Sequence, residues 1–168
     1  MSTIAISAAV SAEDIGQARK LFEEYAAWLG ISLAYQNFYG ELATLPGKYA
    51  PPAGRLLLAR CDGVPAGCGA FRPLEPAICE MKRLYVRPDF RGNSIGRKLA
   101  ERLIDDATAC GYAAMRLDTM ASRMPEAYRL YRALGFREIP AYYVSPHADT
   151  SYMELRLTAL DSEAHATI

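Results

Sequence analysis

The feature that most limits how this 168-residue chain can fold is a turn of small residues that runs directly into an amphipathic helix. Turn and helix together read RGNSIGRKLAERLIDDATACG, from Arg91 to Gly111. Apolar residues recur there at the spacing of one helical face and Gly111 supplies a stop signal, so the helix is predicted to begin near Asn93 or Ser94. Because the first N–H groups of a helix lack partners within it, and small residues leave them accessible, the turn predicts an anion site.

The charge around this turn favours the same interpretation. The positive end of the helix dipole points at the turn, and three cationic side chains crowd it: Arg91, Arg97 and Lys98. A strand-like run, CEMKRLYVRP, precedes it, and the order strand, turn, helix is typical of sites for nucleotide-like cofactors. A diphosphate is therefore the predicted ligand. The alternative is an ordinary helix start, since Gly, Asn and Ser are common before any helix.

Composition limits the remaining classes of function. Lys plus Arg and Asp plus Glu number 19 each, so no overall field favours nucleic acid or an anionic membrane as a partner. The longest apolar stretches are a few residues, which predicts neither a membrane span nor a signal peptide and makes the cytoplasm the expected location. The length suits one domain, residues 1–168.

The cysteines and histidines predict no metal site. The four cysteines are Cys61, Cys68, Cys79 and Cys110, too far apart for a zinc-type pair, and the chain has two histidines to complete a site. Three of these cysteines fall in strand-like segments, where a reduced cysteine is usually a small buried apolar residue.

Periodicity and turn signals predict alternating strands and helices. A strand at 4–9 precedes a helix that starts at a Ser11–Asp14 box and ends at Gly30, and a less certain helix covers 33–45. Strands are predicted at 55–61, 64–71 and 78–86, the first two joined by an Asp62-Gly63 hairpin turn. After the long helix come a strand at 114–119, a helix around Ala127 to Leu134, and strands at 136–139 and 151–157. This order predicts a mixed sheet with helices on both faces.

Two motifs resemble those of the GNAT superfamily of N-acetyltransferases. The central pattern of that family, Arg/Gln-x-x-Gly-x-Gly/Ala, is matched by Arg91, by Ser94 where a glycine is usual, and by Gly96. The run AYRLYRALGF, from Ala127 to Phe136, is similar to the later Ala-x-x-Leu-Tyr-x-x-x-Gly-Phe signature. With the flanking strands, the resemblance covers nearly the whole chain.

The resemblance implies the fold and the cofactor. It implies an α/β fold of the GNAT type, in which a mixed, mostly antiparallel sheet splays at its centre to admit the pantetheine arm of acetyl-CoA. The diphosphate would lie at the turn, and the implied cofactor residues are Leu84, Tyr85, Val86, Arg91, Gly92, Asn93, Ser94, Ile95, Gly96 and Arg97. Ser94 would either crowd the phosphates or donate a hydrogen bond to them, and the second is the easier because Ser also caps helices.

The resemblance also implies an acid and a base. Glu80 matches a glutamate that removes the amine proton, often through water, and a neutral amine is scarce enough at pH 7 to cost about 4–5 kcal/mol. The alternative for Glu80 is a strand residue paired with Lys82 or with a neighbouring strand. Tyr131 matches a tyrosine that protonates the departing thiolate; it also falls on a packing stripe, and both roles are compatible.

The acceptor side is expected to be aromatic. Two segments border the acceptor cleft in the family, and they carry the candidates Tyr35, Phe38, Tyr39, Tyr142, Tyr143 and His147, of which a minority should touch substrate.

The leading hypothesis is therefore an acetyl-CoA-dependent N-acetyltransferase that acts on a primary amine of a small molecule or an amino terminus, by direct attack in a ternary complex. The alternative is a non-catalytic module that binds acyl-CoA or a protein partner. Exposed late strands also suggest a homodimer.

Overall fold

The computed structural model describes residues 2–157, which form one seven-stranded sheet with helices on both faces. The strands are β1 (Ile4–Ala8), β2 (Arg55–Cys61), β3 (Val64–Glu75), β4 (Ile78–Val86), β5 (Ala114–Met120), β6 (Arg137–Ile139) and β7 (Thr150–Arg156). The helices are α1 (Ala12–Leu29), α2 (Phe38–Thr44), α3 (Ile95–Ala109) and α4 (Pro125–Leu134). Short 3₁₀ turns lie at Ala34–Gln36, Gly47–Tyr49 and Pro88–Phe90.

The sheet is mixed, as the sequence predicts. The strand order is β1-β2-β3-β4-β5-β7-β6, and β4 with β5 is its parallel pair while the other neighbours run antiparallel. The core divides into two clusters, one on each face. Leu99 and Leu103 of α3 pack with Leu117 on one face, and Phe22 of α1 packs with Leu58 on the other. The predicted fold class is confirmed.

The predicted ends of α1 and the predicted hairpin turn are confirmed. Asp14 donates its backbone N–H to the Ser11 hydroxyl at 3.1 Å, and α1 ends at Gly30 in the left-handed region (φ 74°). The hairpin between β2 and β3 turns through Asp62 and Gly63, both with positive φ, as a tight two-residue turn requires.

The predicted helix at 33–45 is wrong in part, because the segment is broken in its middle. A 3₁₀ turn ends at Gln36, Asn37 adopts a left-handed conformation (φ 56°), and only residues Phe38–Thr44 continue as α2. A left-handed residue reverses the path of the chain and so prevents one continuous helix. The break leaves Gln36 facing the centre of the sheet, where it hydrogen-bonds Asp118 and Lys82.

The centre of the sheet opens beside a bulge in β4. Arg83 and Leu84 together lie opposite the single residue Gly69 of β3, and Arg83 has a left-handed φ of 62°. Pairing of β4 with β5 stops after Glu80, which lies opposite Arg116. Beyond that point the two strands diverge, so the bulge and the opening together create the space in which the candidate site lies.

Among residues 2–157, no helix is both long enough and apolar enough to span a bilayer.

Candidate functional site

Three cavities follow one another across the opening in the sheet. The first, the helix-3 cleft, has a volume of about 420 Å³ and lies at the N-terminus of α3. The second, the central chamber, is about 30 Å³ in volume and lies between the diverging strands β4 and β5. The third, the helix-2 cleft, is about 600 Å³ in volume and lies under α2. The chamber shares Leu84 and Met124 with the helix-3 cleft, and it shares Tyr35, Gln36 and Lys82 with the helix-2 cleft.

The helix-3 cleft gathers most of the predicted cofactor residues. Eight of them line it: Leu84, Tyr85, Val86, Arg91, Gly92, Ser94, Ile95 and Gly96. The first hydrogen bond within α3 runs from the N–H of Lys98 to the carbonyl oxygen of Ser94, so the three preceding helical N–H groups lack a partner within the helix. A Cβ added at Gly92 would meet nothing within 4 Å, so the turn is open. Unpaired helical N–H groups beside an open turn are an arrangement that can bind an anion.

Arg91 is held in place by an aromatic ring that sequence analysis did not identify. Its guanidinium lies 4.8 Å from the ring centroid of Trp28 and donates a hydrogen bond to the carbonyl oxygen of Val86 at 3.2 Å. Trp28, from α1, is itself part of the wall of the helix-3 cleft. The cationic side chain is therefore fixed at the mouth of the cleft.

Two of the predicted cofactor residues do not line this cleft. Asn93 donates its side-chain amide to the carbonyl oxygen of Phe90 at 3.1 Å, and Arg97 lies 3.9 Å from Glu101 on the outer face of α3. The side chain of Ser94 makes no capping hydrogen bond, because a capping serine needs an extended backbone and Ser94 is left-handed (φ 59°). Its hydroxyl therefore does not cap α3.

The central chamber is lined by residues from both faces of the sheet. Tyr131 of α4 reaches it from one face and Tyr25 of α1 from the other. Tyr131 is 7% exposed, and its ring packs edge-to-face on Phe136 with centroids 5.8 Å apart. Burial raises the pKa of the Tyr131 hydroxyl far above its ordinary value, and it raises that of Tyr25 to about 12. Both phenols therefore stay protonated at neutral pH.

A buried ion pair separates the chamber from the helix-2 cleft. Lys82 Nζ lies 3.5 Å from Asp118 Oδ1 and donates to Gln36 Oε1 at 3.0 Å. Burial lowers the pKa of Lys82, and the neighbouring Asp118 opposes this only in part. For Asp118, burial alone would raise the pKa, but the charge of Lys82 and the hydrogen bond from the Tyr143 hydroxyl outweigh it, so the pKa lies below its usual value.

Glu80 lies in the wall of the helix-2 cleft and is 2% exposed. Its carboxylate accepts hydrogen bonds from Arg72 at 3.2 Å and from the Tyr142 hydroxyl at 2.7 Å. Arg72 lies directly opposite on β3, so the cross-strand pairing that was an alternative for Glu80 is present, whereas Lys82 pairs with Asp118 instead. These two donors fix the direction of the Glu80 carboxylate, and Tyr142 links it to the loop between β6 and β7.

The aromatic acceptor candidates divide into two groups. Tyr35, Tyr142 and Tyr143 line the helix-2 cleft. Phe38, Tyr39 and His147 do not: Phe38 is buried beneath the guanidinium of Arg83, Tyr39 is 70% exposed, and His147 packs against the ring of Tyr35. Three of the six candidates therefore lie at the cleft.

The sequence alone did not identify Gln36 and Asp118, which are hydrogen-bonded to each other beside the chamber. Gln36 donates to Asp118 at 3.2 Å and accepts from Lys82 and from Arg83, the latter at 2.8 Å. Asp118 carried a usable signal, since it is the one charged residue in the strand end LDTM. Gln36 carried none, because its position depends on the left-handed residue that follows it.

The acidic, cysteine and histidine side chains of residues 2–157 form no group of three or more arranged to bind a metal ion.

Comparison with known proteins identifies the family of the chain. Residues 16–136 match the model of the acetyltransferase (GNAT) family. An uncharacterized N-acetyltransferase of Schizosaccharomyces pombe is 40% identical over 159 residues, which is 94% of this chain and 97% of that protein.

Solved structures share the fold. A GNAT-family acetyltransferase from Staphylococcus aureus Mu50 superposes with a TM-score of 0.76 at 19% identity, over 92% of this chain and 99% of that one. An acetyltransferase from Salmonella typhimurium, solved with its cofactor acetyl-CoA, gives a TM-score of 0.62 at 24% identity, over 92% of this chain and 94% of that one. The predicted family and class of enzyme are confirmed. The chain belongs to the GNAT family and is an acetyl-CoA-dependent N-acetyltransferase.

Proposed function

We propose that the protein transfers the acetyl group of acetyl-CoA to a primary amine of a small molecule or an amino terminus, by direct attack while both substrates are bound. The observation that carries this proposal is the central chamber, which shares wall residues with the helix-3 cleft on one side and with the helix-2 cleft on the other. A thioester reaching the chamber from the first cleft and an amine reaching it from the second would meet beside Tyr131.

The helix-3 cleft fits coenzyme A. The N–H groups at the start of α3 and the guanidinium of Arg91 would hold the diphosphate, and the main chain of Leu84, Tyr85 and Val86 would hold the pantetheine arm. Because β4 is not paired with β5 beyond Glu80, its backbone edge there is available for such bonds. Acetyl-CoA supplies an acetyl group activated as a thioester; the residues of this chain bind, orient and move protons.

Glu80 is proposed as the general base. It lies in the helix-2 cleft rather than in the chamber, so the amine proton would reach it through a water molecule, for which that cleft has room. Arg72 and Tyr142 hold the carboxylate in one orientation. A base within the site would reduce the cost of about 4–5 kcal/mol that the ammonium form of the amine adds to the barrier at pH 7.

Tyr131 is proposed as the general acid. Its buried hydroxyl retains its proton at neutral pH because burial raises its pKa, and it lines the chamber in which sulfur would depart. A phenol hydrogen-bonds a sulfur atom before giving up the proton, so the same group stabilises the developing thiolate and then neutralises it.

The chemistry of the helix-2 cleft supports a polar acceptor. Tyrosine rings from the first and last parts of the described chain, Tyr35, Tyr142 and Tyr143, share its walls with the charged side chains of Glu41, Lys48, Arg72, Glu80 and Lys82. Cations and anions are both represented, which suits a small molecule that carries an amine together with another polar group.

The test is release of coenzyme A with a panel of amines and amino-terminal peptides, measured against hydrolysis without an amine. At least one amine should raise the rate, and Tyr131→Phe should lower kcat by about 10²-fold or more. Tyr128→Phe is the matched control, because Tyr128 lies on the same helix but lines none of the three cavities. Tight binding of coenzyme A with no turnover of any amine would contradict the proposed transfer to a primary amine.

A further inference from the structure

Thr119, on β5, has a buried hydroxyl without a partner. The residue is 3% exposed, and within residues 2–157 its Oγ1 is the one fully buried side-chain oxygen or nitrogen that makes no hydrogen bond. Buried polar groups are normally hydrogen-bonded, since leaving one unpaired forfeits the hydrogen bond it would make to water. An orphaned hydroxyl in a folded protein therefore needs an explanation.

The position of Thr119 explains why the protein supplies no partner. Alternation along β5 points Thr119 to the same face as Met115 and Leu117, toward the apolar core under α3 and α4. On one side β5 has lost its neighbour, because pairing with β4 stops at Glu80 and Arg116. On the other side Ser151 of β7 lies opposite, but its hydroxyl forms no bond with Thr119.

Thr119 is one of the residues that line the central chamber, and its hydroxyl is buried in the wall. Thr119 lines the chamber together with Tyr131, the proposed acid, and with Leu84, on whose main chain the pantetheine arm is proposed to lie. At about 30 Å³ the chamber has space for a small group such as a thioester or for about two water molecules. A hydroxyl both donates and accepts hydrogen bonds, so it suits either the sulfur or the amide next to it.

We infer that the Thr119 hydroxyl hydrogen-bonds the thiol end of the pantetheine arm of acetyl-CoA and so aims the thioester at Tyr131. This inference rests on the proposed function, because it requires coenzyme A to enter through the helix-3 cleft. Thr119 then contacts the cofactor directly, and its unpaired state belongs to the free enzyme alone. An ordered water filling the chamber in both states is the competing explanation.

The test replaces the hydroxyl by a methyl group of the same shape, in Thr119→Val, and measures affinity and stability by calorimetry and thermal unfolding. Coenzyme A and acetyl-CoA should bind roughly threefold to tenfold more weakly, the value of one hydrogen bond. ADP, which has the diphosphate but no pantetheine arm, should bind as it does to the wild type. The melting temperature without ligand should stay the same or rise, because no protein hydrogen bond is lost.

Two further variants serve as controls. Thr119→Ser keeps the hydroxyl and should keep the affinity for coenzyme A. Thr108→Val removes a hydroxyl that donates to the carbonyl oxygen of Ile104 at 2.8 Å, outside the three cavities, and should leave that affinity unchanged.

The experiment distinguishes failure of the role of Thr119 from failure of the proposed function. If the wild type binds coenzyme A and Thr119→Val binds it equally well, the inference is wrong and the proposed function stands. A variant that melts lower without ligand and loses affinity for ADP as well would mean that Thr119 supports the fold, which also overturns the inference. If the wild type binds no coenzyme A, the proposed function fails and the inference with it.

Discussion

Lys82 and Asp118 form a buried ion pair in the wall of the chamber. The side chains are 4% and 11% exposed, and Lys82 has Arg72 and Arg83 as cationic neighbours, both of which lower its pKa further. Asp118 contributes most to keeping the Lys82 ammonium charged, and Glu80 acts in the same direction. Removing one partner of a buried pair leaves an uncompensated charge, and that costs more than the pair contributes.

Asp118→Asn should lower the free energy of unfolding at pH 7 by about 3–5 kcal/mol. The folded pKa of Lys82 lies below its ordinary value of 10.5, so between those two values the unfolded chain binds more protons and stability rises with pH. In Asp118→Asn the pKa of Lys82 in the folded protein falls further. The pH range over which stability rises with pH therefore begins at a lower pH. The deficit relative to wild type, from urea unfolding, should therefore be smaller at pH 9.5 than at pH 7.

The double variant Lys82→Met/Asp118→Asn is the control for this prediction. With both charges gone, most of the lost stability should return and the difference between the two pH values should disappear. A single Asp118→Asn variant as stable as the wild type, or one whose deficit is the same at both pH values, would contradict the assignment of a buried lysine charge.

Ser94 is strained by its own backbone. It is the residue before α3, with φ 59° and ψ 21°, and its side chain makes no capping bond. Ser94→Gly should raise the free energy of unfolding by about 0.5–1 kcal/mol, because glycine adopts the left-handed region without a Cβ penalty. Affinity for coenzyme A, measured by calorimetry, should be kept or improved.

Asn37→Gly is the comparison for Ser94→Gly. Asn37 is also left-handed (φ 56°) and precedes α2, but asparagine tolerates that conformation better than serine does. The increase in the free energy of unfolding, measured with urea, should therefore be smaller for Asn37→Gly than for Ser94→Gly. A loss of stability in Ser94→Gly would show that the serine hydroxyl has a role that its geometry does not reveal.

At the scale of elements, β3 and β4 approach each other closely where the main chain is proposed to bind the cofactor. A Cβ added at Gly67 would lie 2.7 Å from the carbonyl oxygen of Tyr85, a backbone atom that moves only with its strand. Gly67→Ala should therefore lower the free energy of unfolding by about 1–3 kcal/mol and weaken binding of coenzyme A. Urea unfolding and calorimetry measure the two effects.

Gly16→Ala is the matched change in a helix. Gly16 lies inside α1, and an added Cβ there would meet nothing within 4 Å, so helix propensity alone should stabilise this variant by about 0.5–1 kcal/mol. Its affinity for coenzyme A should equal that of the wild type. Equal affinity in Gly67→Ala would mean that the cofactor does not depend on the position of β4.

The elements that the sequence predicted well are those with local signals. The start of α1 at Ser11, its end at Gly30 and the turn at Asp62-Gly63 each depend on residues within a few positions of one another. The bulge at Arg83 had no such signal, since an arginine is a poor predictor of left-handed backbone. It is supported instead by a distant carboxylate, Glu41, whose Oε2 lies 2.9 Å from the Arg83 guanidinium.

At the scale of the whole molecule, the turn before α3 and the helix α4 could be predicted because each is one continuous motif. The central chamber could not, because its walls come from residues far apart in sequence, such as Tyr25, Asp118 and Tyr131, which meet only where β4 and β5 diverge. The pairing of Glu80 with Arg72 was open for the same reason, since it depends on the register between β3 and β4.

The connection of the two clefts through the chamber predicts the order of the kinetic steps. If each cleft holds one substrate and the chamber joins them, both must be bound before transfer, so plots of reciprocal rate against reciprocal acetyl-CoA concentration at several amine concentrations should intersect. The cysteine near the chamber is unsuited to carry the acetyl group: Cys68 is fully buried, its thiol donates to the carbonyl oxygen of Arg83 at 3.3 Å, and burial raises its pKa far above the ordinary value.

Cys68→Ala should accordingly leave kcat within a few-fold of the wild type, and the intact mass of the enzyme incubated with acetyl-CoA alone should stay unchanged. Parallel lines, or an acetyl adduct that a later amine removes, would mean that the enzyme itself carries the acetyl group between two half-reactions. In that case the chamber would need to hold only one substrate at a time, and its connection to both clefts would no longer support direct attack.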